Sequence, residues 1–151
     1  MPAPELRLET EIDAPPERVW ALLADFATWD QWNPTLRSPS GPPVPGAEVR
    51  MKLRLGPLTV PMRQQIREVD PPRKLVWRSR QLVPEALLDV VREFRIEPLD
   101  GGRSLLVQSE KTTGWLAGFE VSLLGKAIVK GYEDLARALT EAIARAPQEE
   151  G

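Results

Sequence analysis

The chain has 151 residues with 20 basic and 22 acidic side chains, a net charge of −2, so we expect one globular domain that buries roughly 70% of its unfolded surface. The balanced charge argues against nucleic acid or an anionic membrane surface as a partner. Cysteine and histidine are both missing from the sequence, which excludes disulfides, thiolate nucleophiles, the Ser-His-Asp triad and most zinc hydrolase sites. We expect no metal and no cofactor.

Targeting and membrane signals are missing from the sequence as well. No apolar run approaches the ~18 residues that a membrane-spanning helix needs. The first ten residues, MPAPELRLET, lack the basic and then apolar pattern of a secretory signal. We therefore expect a cytoplasmic protein without an integral membrane segment, and the oligomeric state, a homodimer included, stays open.

The first forty residues predict a strand, two short helices and a second strand. ELRLETEI alternates apolar and polar side chains, which predicts a strand over residues 5–12. In DAPPERVWALLADF, Asp13 is the expected cap, prolines occupy the first turn, and apolar residues recur at helical spacing. FATWDQW predicts a second, shorter helix ended by Asn33-Pro34, because the residue before proline is pushed out of the helical region. A short strand follows over residues 36–40.

The middle of the chain reads as a series of antiparallel strands. In AEVRMKLRLGPL, apolar and basic side chains alternate with a period of two, which predicts a strand with one solvent-exposed face. Two more strands are expected at about 59–69 and 74–81, and LLDVVREFRIEPLDGGRSLLVQSEKTTG supplies another two, joined at Asp100-Gly101-Gly102.

One long helix is predicted at the end of the chain, from about Trp115 to Arg145, with an irregular part before Gly125. Because strands and helices are segregated along the chain, the fold class is α+β. The apolar stripe expected to face the sheet consists of Leu116, Phe119, Leu123, Ala127, Leu135, Leu139 and Ile143.

This order of elements, with DAPPERVWALLADFATWDQWNP, EVDPPRKLVWR and FRIEPLDGGRSLLVQSEKTTG in these places, resembles the START-like or polyketide cyclase/dehydrase superfamily, also known as SRPBCC. The resemblance covers about residues 5–145. It implies a helix-grip fold, in which a curved antiparallel sheet of six to seven strands wraps around the last helix and leaves a cavity. Relatives often carry a histidine near the position of Arg92, so no activity that depends on that histidine is expected here.

The residues themselves also support a cavity, independently of the family resemblance. We expect this cavity to bind an apolar small molecule, such as a lipid, an aromatic or a polyketide-like compound. Gly118, Gly125 and Gly131 leave space on the last helix. Counting across the glycine turn, with Leu99 opposite Arg103, sets the register of the last two strands. The resulting pairs on one face are Ile96 with Leu106, Phe94 with Gln108, and Arg92 with Glu110, and Thr112 follows.

A buried Arg92–Glu110 pair is the most informative of these predictions. Such a pair costs several kcal/mol in desolvation, so its presence suggests a site. In the functional interpretation Arg92 orients a ligand carboxylate, carbonyl or enolate, and Glu110 is a general base or hydrogen-bond acceptor. In the alternatives the pair is structural, at the cavity rim, or a register slip places both side chains in water.

Four tryptophans and the single tyrosine are further ligand-binding candidates. Trp29 and Trp32 either cap the cavity mouth or close one end of the core. Trp77 belongs to the core or touches a ligand, Trp115 is a candidate lid, and Tyr132 either donates to a ligand or packs in the core.

The outer sheet face is expected to be basic. It carries no interleaved aromatic residues, so we expect a solvated surface instead of nucleic-acid binding. The basic residues are Arg50, Lys52, Arg54, Arg63 and Arg67.

Three functions remain open for the chain. The first is small-molecule binding, and the second is a cyclase or dehydratase reaction that uses Glu110 and Arg92. The third is a protein-interaction module of the co-chaperone kind that uses the outer face.

Overall fold

The computed structural model describes residues 5–80, 84 and 86–146. It contains seven strands and three α-helices, with a 3₁₀ turn at Phe26–Thr28 between the first two helices. The strands are β1 (Glu5–Ile12), β2 (Leu36–Ser40), β3 (Glu48–Leu55), β4 (Leu58–Asp70), β5 (Lys74–Arg80), β6 (Asp89–Leu99) and β7 (Arg103–Thr113), and the helices are α1 (Pro16–Leu23), α2 (Trp29–Trp32) and α3 (Ala117–Arg145).

All seven strands form one antiparallel sheet in the order β1-β7-β6-β5-β4-β3-β2. The first strand therefore pairs with the last, and α3 packs on β1, β7 and β3. This curved sheet around a long C-terminal helix confirms the predicted α+β helix-grip architecture. Within the described residues, no helix is long and apolar enough to cross a membrane.

Most strand predictions are confirmed, and the helix start is corrected. β1 and β2 have the predicted bounds, and β5 ends at Arg80, while residue 81 lies outside the described residues.

The start of α1 is capped by Pro15 without a side-chain hydrogen bond, so Asp13 does not cap it. Asp13 lies two residues before the cap position, and the two prolines pre-set the first turn without it.

An aromatic cluster fills one end of the space between sheet and helix. Ring centroids lie 4.5 Å apart for Phe26 and Trp29, 6.3 Å for Trp29 and Trp77, and 5.2 Å for Trp77 and Phe94. Trp32 joins the same cluster 6.2 Å from Trp29. Each such buried side chain contributes on the order of 2 kcal/mol from area alone. The cluster thus anchors the sheet to the helical layer at this end.

The helix α3 is buried differently along its two halves. Leu135, Leu139 and Ile143 of the C-terminal half are buried as predicted, but Phe119 and Leu123 of the N-terminal half are 67% and 66% exposed. Leu116 and Ala127 are exposed as well. The prediction that the first half of the apolar stripe packs against the sheet is therefore wrong. The helix is also continuous from Ala117, so the predicted irregular part is absent from it.

Candidate functional site

The hairpin of β6 and β7 carries the polar core of the candidate site. The register is the predicted one, with Leu99 opposite Arg103, Phe94 opposite Gln108, and Arg92 opposite Glu110. Alternating residues on both strands are buried. Since the period of two puts them on one face, Arg92 and Glu110 lie under the helix among apolar neighbours.

Arg92 is fixed by contacts on several sides. Its Nη2 donates to Gln108 Oε1 at 2.9 Å, and Gln108 Nε2 donates to the Tyr132 carbonyl at 2.9 Å. The guanidinium carbon lies 4.6 Å from the ring centroid of Phe94 and 4.7 Å from that of Tyr132. Such cation–π contacts stabilise a desolvated cation. Arg92 is therefore held in one orientation between the sheet and α3.

The Arg92–Glu110 contact is an ion pair without a hydrogen bond. Arg92 Nη1 lies 3.9 Å from Glu110 Oε1, and both side chains are about nine-tenths buried. That distance is too long for a hydrogen bond. Burial raises the pKa of Glu110, and Arg92 and the Tyr132 phenol act more weakly in the opposite direction. The phenol interacts with the carboxyl electrostatically, because its geometry falls outside that of a hydrogen bond.

A cavity of about 220 Å³ adjoins this pair. It lies between strands β3 to β7 and the N-terminal half of α3, beyond the aromatic cluster. Leu124, Ile128 and Gly131 of the helix line one side, and Trp77 and Val90 line another. The wall is mostly apolar, which suits a small-molecule site.

The raised pKa of Glu110 makes the stability of the protein depend on pH. The native state keeps the Glu110 proton to a higher pH than the unfolded chain, where the pKa is about 4.5. The native state then binds more protons, so the free energy of unfolding falls as pH rises from 4.5 through the folded pKa. We expect Glu110→Gln to remove this decline, measured by urea denaturation across that range.

Glu97 provides the matched control for this measurement. It lies on the same strand pair, half-exposed on the outer face, with Arg95 at 3.8 Å. Glu97→Gln is expected to retain the decline that Glu110→Gln loses, because it leaves the buried carboxyl of Glu110 in place. An identical decline in wild type and Glu110→Gln would contradict the assignment of the titration to Glu110.

Four further polar residues line the cavity that the sequence reasoning did not assign to it: Arg54, which was expected on the outer face, Gln64, Ser79 and Glu120. Glu120 of α3 enters it, and burial, together with the charge of Glu110, raises the pKa of Glu120. On the opposite wall Ser79 donates to Gln64 Oε1 at 2.6 Å. Gln64 and Ser79 could have been found, because each is a polar residue at an inward position of an alternating strand.

The predicted ligand-binding residues divide into those that reach the cavity and those that do not. Arg92, Glu110 and Trp77 line it. Phe94, Gln108 and Tyr132 form the layer behind Arg92, and Thr112 is buried next to Glu110 on β7 without lining the cavity. Of the three glycines expected to make space, Gly131 alone lines it, because Gly118 is exposed and Gly125 faces Leu6 of β1.

Trp29, Trp32 and Trp115 lie away from the cavity. Trp29 is fully buried, and its Nε1 donates to the Leu23 carbonyl at 3.1 Å. Trp32 packs beside it, so this pair closes the core end and not the cavity mouth. Trp115 is 89% exposed just before α3. It does not cover the cavity in this structure.

The connection between β5 and β6 is tied to the start of α3 at the cavity mouth. Trp115 N donates to the Ala86 carbonyl at 3.2 Å, and Leu116 N donates to the Leu87 carbonyl at 2.8 Å. Gly114 has a φ of +104°, and a Cβ at this position would come within 2.5 Å of the Leu87 backbone. Both the backbone conformation and the close approach require glycine here.

Replacing Gly114 by alanine should therefore loosen the mouth and lower stability. We expect a loss of about 2 to 3 kcal/mol in the free energy of unfolding. Gly102→Ala is the control, because Gly102 also has a positive φ of +72° but has open space around it. It should cost only about 1 kcal/mol. Equal losses in chemical denaturation would show that the contact with Leu87 is unimportant.

Solved structures with this architecture are numerous. The Zhui aromatase/cyclase from Streptomyces sp. R1128 matches with a TM-score of 0.78 and 17% identity over 98% of both chains. A START superfamily protein from Mycobacterium smegmatis matches with a TM-score of 0.72 and 16% identity, over 93% of this chain and 97% of the other. At these identities the likeness shows the fold alone.

A plant enzyme structure with bound small molecules also has this fold. Norcoclaurine synthase from Thalictrum flavum, in complex with dopamine and hydroxybenzaldehyde, matches with a TM-score of 0.75 and 11% identity, over 97% of this chain and 90% of the other. A search of curated protein sequences finds no match to the chain. The family model described as polyketide cyclase / dehydrase and lipid transport matches residues 3–145. With that match over nearly its whole length, the chain belongs to the polyketide cyclase/dehydrase and lipid transport family.

Proposed function

We propose that the protein binds a compact, mostly apolar small molecule in the cavity beneath α3, with one polar end of the ligand against Arg92, Glu110 and Glu120. The apolar wall supports an apolar body for the ligand. Burial of that body would drive binding at about 25 cal/mol per Å² of apolar surface removed from water.

The volume of the cavity limits the size of the ligand. About 220 Å³ lies below the ~300 to 1,000 Å³ typical of pockets for drug-sized molecules. A one-ring or two-ring aromatic compound fits this space better than a long-chain lipid or a four-ring polyketide. Among the ligand classes that the sequence left open, the compact aromatic is therefore favoured.

Unpaired polar atoms beside the cavity are the observation that carries the proposal. Arg92 Nε, Trp77 Nε1 and Glu120 Oε2 are buried and have no hydrogen-bond partner among the described residues. All three side chains line the cavity. An unsatisfied buried polar atom costs about 1 to 3 kcal/mol. A ligand with a hydroxyl or carbonyl group could pair with these atoms and recover part of that cost.

One similar structure supports this ligand size. The norcoclaurine synthase structure holds dopamine and hydroxybenzaldehyde, which are one-ring compounds with polar substituents. Its sequence identity to this chain is low, so we take from it only the compatibility of the fold with such ligands.

The proposal is tested by native mass spectrometry of the freshly purified protein, followed by titration with 2-naphthol, naphthalene and a phosphatidylcholine. We expect either a co-purifying small mass or binding of 2-naphthol at one site. Naphthalene should bind more weakly, because it cannot pair with the polar atoms, and the phospholipid should not enter the cavity. Failure of every small aromatic to bind would contradict the proposal.

A catalytic function is the second candidate, and the buried Glu110 favours it. A carboxyl with a raised pKa beside a fixed cation can accept and return a proton in a cyclase or dehydratase reaction. In that case Glu110→Gln would abolish turnover of a polyketide-like substrate and leave ligand binding intact. Unchanged turnover in this variant would remove Glu110 from the mechanism.

A further inference from the structure

The carboxylates of the cavity outnumber the buried cations that can neutralise them. Glu110 of β7 and Glu120 of α3 both line the cavity, and the charge of Glu110 acts on Glu120 and raises its pKa. Among the described residues that line the cavity, Arg92 is the one buried cation. One cation therefore serves two carboxylates in a mostly apolar space.

Arg92 is already committed to Glu110 and to its neighbours on the sheet. Its Nη1 lies 3.9 Å from Glu110 Oε1, and its Nη2 donates to Gln108 Oε1 at 2.9 Å. In the part of the chain that the structure describes, no ion pair joins Arg92 to Glu120. Arg92 therefore offsets the charge of Glu110 and leaves that of Glu120 unmatched.

Arg54 does not supply the missing charge, although it also lines the cavity. Val49 and Met51 of the same strand are buried, and Arg54 occupies the alternate, exposed position. Its guanidinium therefore belongs to the outer face. The Glu120 Oε2 atom is buried and has no hydrogen-bond partner among the described residues. A charged donor is the partner that stabilises such a carboxylate most.

Two unpartnered donors in the same space also point to a ligand. Trp77 is 1% exposed and Arg92 is 5% exposed, yet Trp77 Nε1 and Arg92 Nε have no hydrogen-bond partner among the described residues. Both side chains line the cavity together with Glu120. Since these two atoms donate and the carboxylate accepts, a ligand that pairs with all three presents both an acceptor and a strong donor.

We infer that the ligand of this cavity carries a protonated amine, which the Glu120 carboxylate binds while the aromatic body of the ligand fills the apolar part. The ammonium group would give Glu120 a charge-assisted hydrogen bond and offset its unmatched charge. A hydroxyl group could donate to the same oxygen but would leave the charge unmatched. The inference rests on the proposed ligand-binding function and adds the charge of the ligand to it.

Amine binding should release protons, because a bound cation favours the ionised form of both carboxyls. Burial raises the pKa of Glu110 and of Glu120, and an ammonium group beside them lowers it again. The affinity for the amine should therefore rise with pH from about 4.5 through the raised pKa values, while the amine itself stays protonated. Their titratable or charged neighbours keep one charge state over this range: Arg92 and the exposed Arg54 stay cationic, and burial raises the pKa of Tyr132, which stays neutral.

Isothermal titration calorimetry with three compounds of similar size tests the inference. 2-Naphthylmethylamine should bind at least about tenfold more tightly than 2-naphthylmethanol, because a charge-assisted hydrogen bond is roughly twice as strong as a neutral one. 2-Naphthoate should bind more weakly than the alcohol, since a second anion would face Glu120. Titrations in buffers of different ionisation enthalpy should show proton release for the amine and not for the alcohol.

Substitutions of Glu120 test the assignment to this residue. Glu120→Gln removes the charge and keeps the size, so it should lower the amine-to-alcohol affinity ratio to about one. Glu120→Asp keeps the charge and should keep a preference for the amine. Glu133→Gln is the matched control, because Glu133 is an exposed carboxylate of the same helix, and its ratio should equal that of the wild type. If Glu120→Gln folds poorly by circular dichroism, the proton release of the wild type decides.

Several results would overturn the inference. These are an amine that binds no more tightly than the alcohol, a naphthoate that binds more tightly than both, an affinity ratio that Glu120→Gln leaves unchanged, or amine binding without proton release. If 2-naphthol and 2-naphthylmethanol bind while the amine shows no preference, the inference fails and the proposed ligand-binding function stands. If none of the aromatic compounds binds, both fail.

Discussion

Arg92→Met is expected to lower the free energy of unfolding by about 3 to 5 kcal/mol at a pH well above the raised pKa of Glu110, because it leaves the Glu110 carboxylate buried without its cation. Methionine keeps much of the apolar packing against Phe94 and Tyr132 that the arginine stem provides. The loss should shrink at acidic pH, where Glu110 is protonated and needs no counter-ion. Urea denaturation at several pH values measures both effects.

The double variant Arg92→Met with Glu110→Gln should recover most of the lost stability, because no uncompensated charge remains in the site. Arg95→Met is the matched control on the same strand. Arg95 pairs with Glu93 at 3.0 Å but is 42% exposed, so its loss should cost less than about 1 kcal/mol. If Arg92→Met cost no more than Arg95→Met at alkaline pH, the Arg92–Glu110 pair would not be a desolvated one.

Leu124→Trp is expected to weaken binding of 2-naphthol by about a hundredfold, because the larger side chain occupies the cavity that the ligand needs. Overpacking can cost roughly 1 to 3 kcal/mol in stability, so the folded fraction must be checked by circular dichroism. Isothermal titration calorimetry measures the affinity.

Leu123→Trp is the control for this substitution, because Leu123 directly precedes Leu124 in α3 and is 66% exposed. The same tryptophan placed there points away from the cavity and should leave the affinity for 2-naphthol unchanged. Wild-type affinity in a folded Leu124→Trp protein would place the binding site elsewhere.

The sheet and the central ion pair could be predicted because strand periodicity and one turn determine them. The Asp100-Gly101-Gly102 turn has two residues with positive φ, which fixes how the flanking strands pair. From that pairing, the period of two places Arg92 and Glu110 on the inner face. The same reasoning did not extend to Gln64 and Ser79, although both occupy inward positions.

Helix α3 could not be oriented from apolar spacing alone. Phe119 and Leu123 have the spacing of a buried stripe, yet the structure exposes them and turns Glu120 and Leu124 toward the cavity. Apolar periodicity does not distinguish a side chain that packs in the core from one that remains exposed. The position of Trp29 and Trp32 was open for a similar reason, because packing partners distant in sequence decide it.

A crystal structure of the protein with 2-naphthol tests the central claim most directly. We expect the ring system between Trp77 and Ile128, with the hydroxyl within hydrogen-bonding distance of Arg92 Nε or the Glu120 carboxyl. An interior filled by the protein's own side chains, with Arg92 and Glu110 turned to solvent and no naphthol beneath α3, would contradict the account.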